Sequence, residues 1–154
     1  MTHARQQIRE AVASILSTTP VAWKSVIESR IASSRVIWPY LMVFAESDSS
    51  DPQTVSDPCL YGRELSISIV GMLRLPGTGD TYTVEDRMDK VSAEIETKLT
   101  QSALRDSVPQ IQSLSLVSTV MEVIEDGEGN YHAEVTLSFR IGYSTLEGSP
   151  GSLL

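Results

Sequence analysis

Residues 114–145 constrain this chain more than any other stretch, because over much of their length apolar and polar side chains alternate with a period of two. In the second half, Ala133, Val135, Leu137, Phe139, Ile141 and Tyr143 alternate with His132, Glu134, Thr136, Ser138, Arg140, Gly142 and Ser144. That pattern belongs to a strand with one face on a core and the other in water. The first half, Leu116-Val117-Ser118-Thr119-Val120-Met121-Glu122-Val123-Ile124, is rich in β-branched residues but alternates less cleanly, as expected of a strand partly covered on both faces. Asp126-Gly127-Glu128-Gly129-Asn130 joins the halves, and its two glycines supply the positive φ that a reversal needs. The stretch therefore predicts a β-hairpin, and nothing in it resembles a catalytic constellation.

The other segments supply what such a hairpin packs against. Ala4, Ile8, Ala11, Val12 and Ile15 form one stripe of a helix over residues 3–17, with Thr2 as the expected N-cap. Residues 25–31 alternate weakly, as a strand would. Trp38-Pro39 then introduces Tyr40-Leu41-Met42-Val43-Phe44-Ala45, an apolar run that predicts a strand buried on both faces. Residues 63–75 give another strand, with Leu65, Ile67, Ile69, Leu73 and Leu75 on one face and Gly71 where a helix could come close. Pro76-Gly77-Thr78-Gly79-Asp80 breaks it, and Thr83 caps a helix carrying Val84, Met88, Val91, Ile95 and Leu99 on one side. Asp86–Lys90 and Glu94–Lys98 are spaced for ion pairs along that helix. Residues 101–112, around Pro109, read as a link.

These faces predict an α+β fold: a mostly antiparallel sheet of about five strands with two helices packed on one face, and a serine- and threonine-rich face left wet. One domain over residues 1–146 is expected, with a long acidic loop at 46–62 and a flexible C-terminal tail at 147–154. The loop holds Asp48, Asp51 and Asp57 with prolines and serines, which suits a solvated excursion or a segment that orders on binding.

Composition narrows the function. A net charge of −8 disfavours binding to nucleic-acid phosphates. Cys59 is the single cysteine, so no internal disulfide forms and a reducing compartment is expected. No apolar run reaches the roughly 18 residues of a membrane span, and residues 1–7 lack a signal peptide's apolar centre. His3 and His132 are far apart in sequence and Cys59 is alone, so there is no zinc spacing. No serine sits in a Gly-x-Ser-x-Gly elbow. Gly77-Thr78-Gly79-Asp80-Thr81 lacks the lysine of a phosphate loop. Asp126, Glu128 and Asn130 lack the spacing and closing glutamate of a calcium loop. No catalytic residue, cofactor or metal site is predicted.

Charge placement carries more. Acidic groups gather at 46–57 and 122–128, whereas Arg30, Arg35, Arg63, Arg74 and Arg140 lie on or beside strands. Solvated loop tips and strand-edge gatekeepers account for this pattern; so do complementary patches on a subunit with head-to-tail neighbours.

The order of segments resembles a known family. An opening helix with Arg5-x-x-Ile8-x-x-Ala11-Val12 is followed by Ser29-Arg30-Ile31 and by Trp38-Pro39-Tyr40-Leu41-Met42-Val43-Phe44 with its acidic loop. Next come Arg63-Glu64-Leu65-Ser66-Ile67, the helix Glu85-Asp86-Arg87-Met88-Asp89, and a hairpin ending Leu137-Ser138-Phe139-Arg140-Ile141-Gly142-Tyr143-Ser144-Thr145. Across residues 3–146 this pattern is similar to the tail terminator (minor tail protein U-like) family of long-tailed bacteriophages. The resemblance implies a homohexameric ring in the neck region of the virion tail, made in the host cytoplasm. The ring would cap the head-proximal end of the tail tube, stop tube polymerisation and offer a docking face to the head–tail connector, or neck protein. Genomic DNA would pass through its lumen without specific binding, and no membrane or enzymatic activity is implied. Arg30, Arg63, Asp48, Asp51, Asp57 and Glu128 are the candidate interface residues. Two alternatives stay open: another phage neck or tail-completion ring protein, and a small α+β enzyme or ligand-binding domain.

Overall fold

A computed structural model describes residues 2–18, 22–75, 84–125 and 127–154. The break predicted at 76–80, the Thr83 cap and Asp126 lie outside these residues. The elements run α1 (Ala4–Leu16), β1 (Ser25–Ile27), β2 (Tyr40–Pro52), β3 (Leu60–Arg74), α2 (Val84–Lys98), α3 (Gln101–Ser107), β4 (Ser113–Glu125), β5 (Tyr131–Leu146) and β6 (Ser149–Leu153). The fold is α+β. One sheet has the order β1-β2-β3-β5-β4, with β6 pairing the end of β5. Among the described residues only β1–β2 is parallel; the other pairings are antiparallel.

The alternation read from β5 fixes the register. Leu65 lies opposite Ile141, Ile67 opposite Phe139 and Ile69 opposite Leu137, so the apolar rows of β3 and β5 face the same way. All six are buried with Ile8, Val12, Val91 and Ile95 in the main core, beneath the helices. A Cβ on Gly71 would meet the Val91 methyl at 3.0 Å, so the glycine does mark where α2 approaches the sheet.

Several expectations are corrected. The acidic stretch 46–62 is mostly strand: β2 continues to Pro52 and β3 starts at Leu60, leaving only 53–59 as the connection. Its serines and aspartates extend an antiparallel ladder in which Asp48 pairs with Leu65 and Asp51 with Gly62, so backbone bonding overrides weak β propensity. The tail is not loose, because β6 returns along β5, pairing Leu153 with Thr145. The link at 101–112 contains α3, capped by the Thr100 hydroxyl accepting from the Ala103 N–H, and held by buried Leu104. The described residues thus hold three helices where two were expected. His3 rather than Thr2 caps α1, its Nδ1 accepting from the Arg5 N–H at 3.1 Å. β1 is only three residues long. The Glu94–Lys98 pair gives way to tertiary contacts: Glu94 accepts from the Ala22 N–H, and Lys98 donates to the Thr18 carbonyl.

The second sheet face is wet only in part. Over β2 and β3, Tyr40, Val70 and Met72 form a satellite core with Ile27, Ala32, Val36, Trp38, Met42 and Phe44. This explains why the run 40–45 is apolar on both faces. Over β5 and β4 that face keeps its serines and threonines.

Candidate assembly surfaces

The proposed interface residues do not form one patch. Asp48 and Arg63 meet each other: Arg63 Nη1 lies 3.3 Å from Asp48 Oδ2, and the Asp48 side chain is 3% exposed. Arg63 Nε also donates to the Thr145 hydroxyl at 2.8 Å, and the Tyr143 hydroxyl donates to Asp48 Oδ2 at 2.9 Å. Burial first, and the Asp48 hydrogen bond second, push the Tyr143 pKa far upward, so its phenol stays a donor. Register places Asp48 opposite Leu65, on the helix side, so this network closes the end of the core. Asp48 is thereby buried in a structural network, while Arg63 keeps part of its side chain at the surface.

Arg30 lies over the Phe44 ring, 5.0 Å from its centroid, and donates to the Ala45 carbonyl on the outer edge of β2, with Glu46 at 3.8 Å. It therefore blunts a sheet edge. Asp51 and Asp57 are exposed near one end of the sheet, and Glu128 is exposed in the β4–β5 turn at the other.

β4 presents an open surface. It is thirteen residues long and lies at the margin of the sheet, with β5 on one side only. Val117 is 54%, Val120 50% and Val123 48% exposed, with Leu116 and Met121 close behind. Met121 and Val123 face the helix side, opposite buried Val135 and Ala133, whereas Val120 faces the other side, opposite Thr136. The uneven alternation of this strand thus marks apolar residues on two open faces, not two covered ones. Edge strands in proteins that stay single are normally short or carry charges, above all Lys, or Pro; β4 has neither Lys nor Pro, and its only such devices are Glu122, Glu125 and a register shift between Leu116 and Ser118.

At the other margin, β1 covers only Tyr40–Met42 of β2, and Ile31 and Ile37 stand exposed nearby. There, a cleft of about 810 Å³ is lined by Arg35, Trp38, Arg74, Arg87, Lys90 and Val91, among others; among the described residues its lining holds four cations and no carboxylate. Arg74 lies 5.1 Å from the Trp38 ring centroid, and Arg87 donates to the Arg74 carbonyl at 3.2 Å. Sequence reading missed this cleft because its cations come from a loop, a strand end and a helix, with no shared spacing. Among the described residues, no group of three or more His, Cys, Asp or Glu is placed to hold a metal ion, and no helix is long and apolar enough to cross a membrane.

No protein-family model matches the chain, and no curated protein matches it. Among solved structures it is similar to a chain from the virion of the native gene transfer agent (GTA) particle. That similarity covers 91% of this chain and 90% of the other, at 12% identity and a TM-score of 0.43.

Proposed function

We propose that this chain is a ring-forming structural protein of a phage-like virion, and that it acts as the tail terminator. The observation that carries the reading is β4: a thirteen-residue open edge with exposed apolar residues on both faces. Such an edge is a template for another chain. Because the opposite margin of the sheet is built differently, self-association through the two margins is head-to-tail, the geometry that closes rings. The terminator role itself comes from the resemblance in segment order described above.

In this reading six copies close a ring on the last ring of the tube protein, and the free face accepts the connector. Termination needs no reacting group: one face mates with the tube, and the other cannot accept a further tube subunit. The genome passes through the lumen without being held, in keeping with the net charge of −8. The test has two parts. Light scattering after size-exclusion chromatography, over a range of concentrations, is expected to give a discrete ring-sized species. In phage-producing cells, loss of the chain is expected to leave tails overlong or unable to join filled heads. Tails of normal length that still join heads would remove the terminator role.

A further inference from the structure

We propose that the basic cleft receives the acidic end of the β4–β5 hairpin of a second copy, so that this contact joins neighbours around the ring. The inference rests on the ring reading and names the contact that reading requires.

One transverse row of the sheet connects the two surfaces. Ser25 pairs with Tyr40, Tyr40 with Met72, Met72 with Glu134 and Glu134 with Glu122. The row starts at the margin carrying the cleft and ends at the margin carrying Glu122. Both surfaces therefore lie at the same end of the molecule. Copies set side by side, with that end kept in common, bring the hairpin of one next to the cleft of the next.

The chemistry matches. Glu122 and Glu125 are exposed on a strand without Lys or Arg. Glu122 lies directly across from Glu134, a like-charge pairing that destabilises a sheet unless cations lie close by. His132, 3.3 Å from Glu134, supplies charge only when protonated, and the permanent cation on that face is Arg74, opposite His132 in the register. The cleft presents the converse: Arg35, Arg74, Arg87 and Lys90 share a rim, two of them held by the Trp38 ring and the Arg74 carbonyl. The basic rim and the acidic edge are complementary in charge, and exposed Ile37 in the cleft lining and exposed Val120, on the same face of β4 as Glu122, give the contact an apolar component.

The experiment uses two double variants of the full chain, Glu122→Lys with Glu125→Lys and Arg87→Glu with Lys90→Glu. Circular dichroism checks folding, and light scattering reads assembly. Each variant alone sets like charges together and is expected to raise the half-assembly concentration by more than about tenfold. Mixed in equal amounts, they offer a lysine hairpin to a glutamate cleft and a wild-type hairpin to a wild-type cleft. Alternating rings are then expected to return. Wild-type rings that both variants also form, or variants that fail alone and stay apart when mixed, would overturn this contact while leaving the ring reading intact. A wild-type chain that remains monomeric at every concentration would overturn both.

Discussion

Asp48 shows how far a residue's chemistry depends on its address. In sequence it belongs to an acidic, serine-rich stretch, the composition of a solvated loop. In the fold it is a buried carboxylate between a guanidinium and a phenol. Removing it takes the acceptor from the buried Tyr143 hydroxyl and the ion-pair partner from Arg63, so Asp48→Ala is expected to cost about 1–3 kcal/mol in urea unfolding. A loss below about 1 kcal/mol would mean that Arg63 and Tyr143 are satisfied elsewhere. Charge reversal at Asp48 or Arg63 is consequently expected to weaken the fold, whereas reversal at exposed Asp51 is expected to leave it intact. His3 offers a pH test. Burial first, then Arg5, lowers its pKa from the ordinary 6.5. A folded value below the unfolded one means its contribution is complete above pH 6.5 and fades as pH falls through that value, because the unfolded chain takes up the proton first. The ring protons of His3 should titrate below 6.5 in the native protein and move up toward 6.5 in urea; a native midpoint above 6.5 would contradict the cap.

At the scale of elements, the helix–sheet contact at Gly71 is close enough to predict. Gly71→Ala pushes a methyl against Val91 and is expected to cost about 1–3 kcal/mol, whereas Leu137→Ala in the core beneath the helices costs about 2–5 kcal/mol. Thermal or urea denaturation reads both, and a neutral Gly71→Ala would show that α2 can shift. The strands around these positions were legible because period two survives wherever one face is buried: β3 and β5 announced their register residue by residue. What escaped were features that local pattern does not encode. α3 has seven residues and one buried apolar anchor, too little for a helical period to declare itself. The far half of β2 carries loop-like residues that stay extended because β3 bonds them. In β4 the signal was present and pointed the wrong way, since apolar residues on both faces describe an unpartnered strand as well as a covered one. Amide exchange separates these cases: 46–52 should be protected by its ladder and 53–59 should exchange quickly, whereas equal rates would restore the long mobile loop.

For the whole molecule, the distribution of charge matters more than its sum. Four cations gather around the cleft while Glu122 and Glu125 stand on the opposite margin, so an overall charge of −8 coexists with a local basic surface. If that surface is covered by a neighbour, duplex DNA at physiological salt should bind the assembled protein weakly or not at all, as fluorescence anisotropy would show; tight binding would place the cleft on the genome's path. The number of copies in a closed ring is a different matter, and it traces back to Val117. This residue is the extra one in β4, where the pairing with β5 shifts between Leu116 and Ser118. An inserted residue bends a strand and increases its twist, so it sets the direction in which the free margin points. Every copy repeats that angle, and small errors accumulate around the circumference. A ring has an integer stoichiometry only if the repeated rotation divides a full turn without remainder and with no rise along the axis. Deleting Val117 should straighten the margin and change that rotation, yielding rings of another size or open spirals in electron micrographs: one residue's worth of backbone would then decide whether assembly stops.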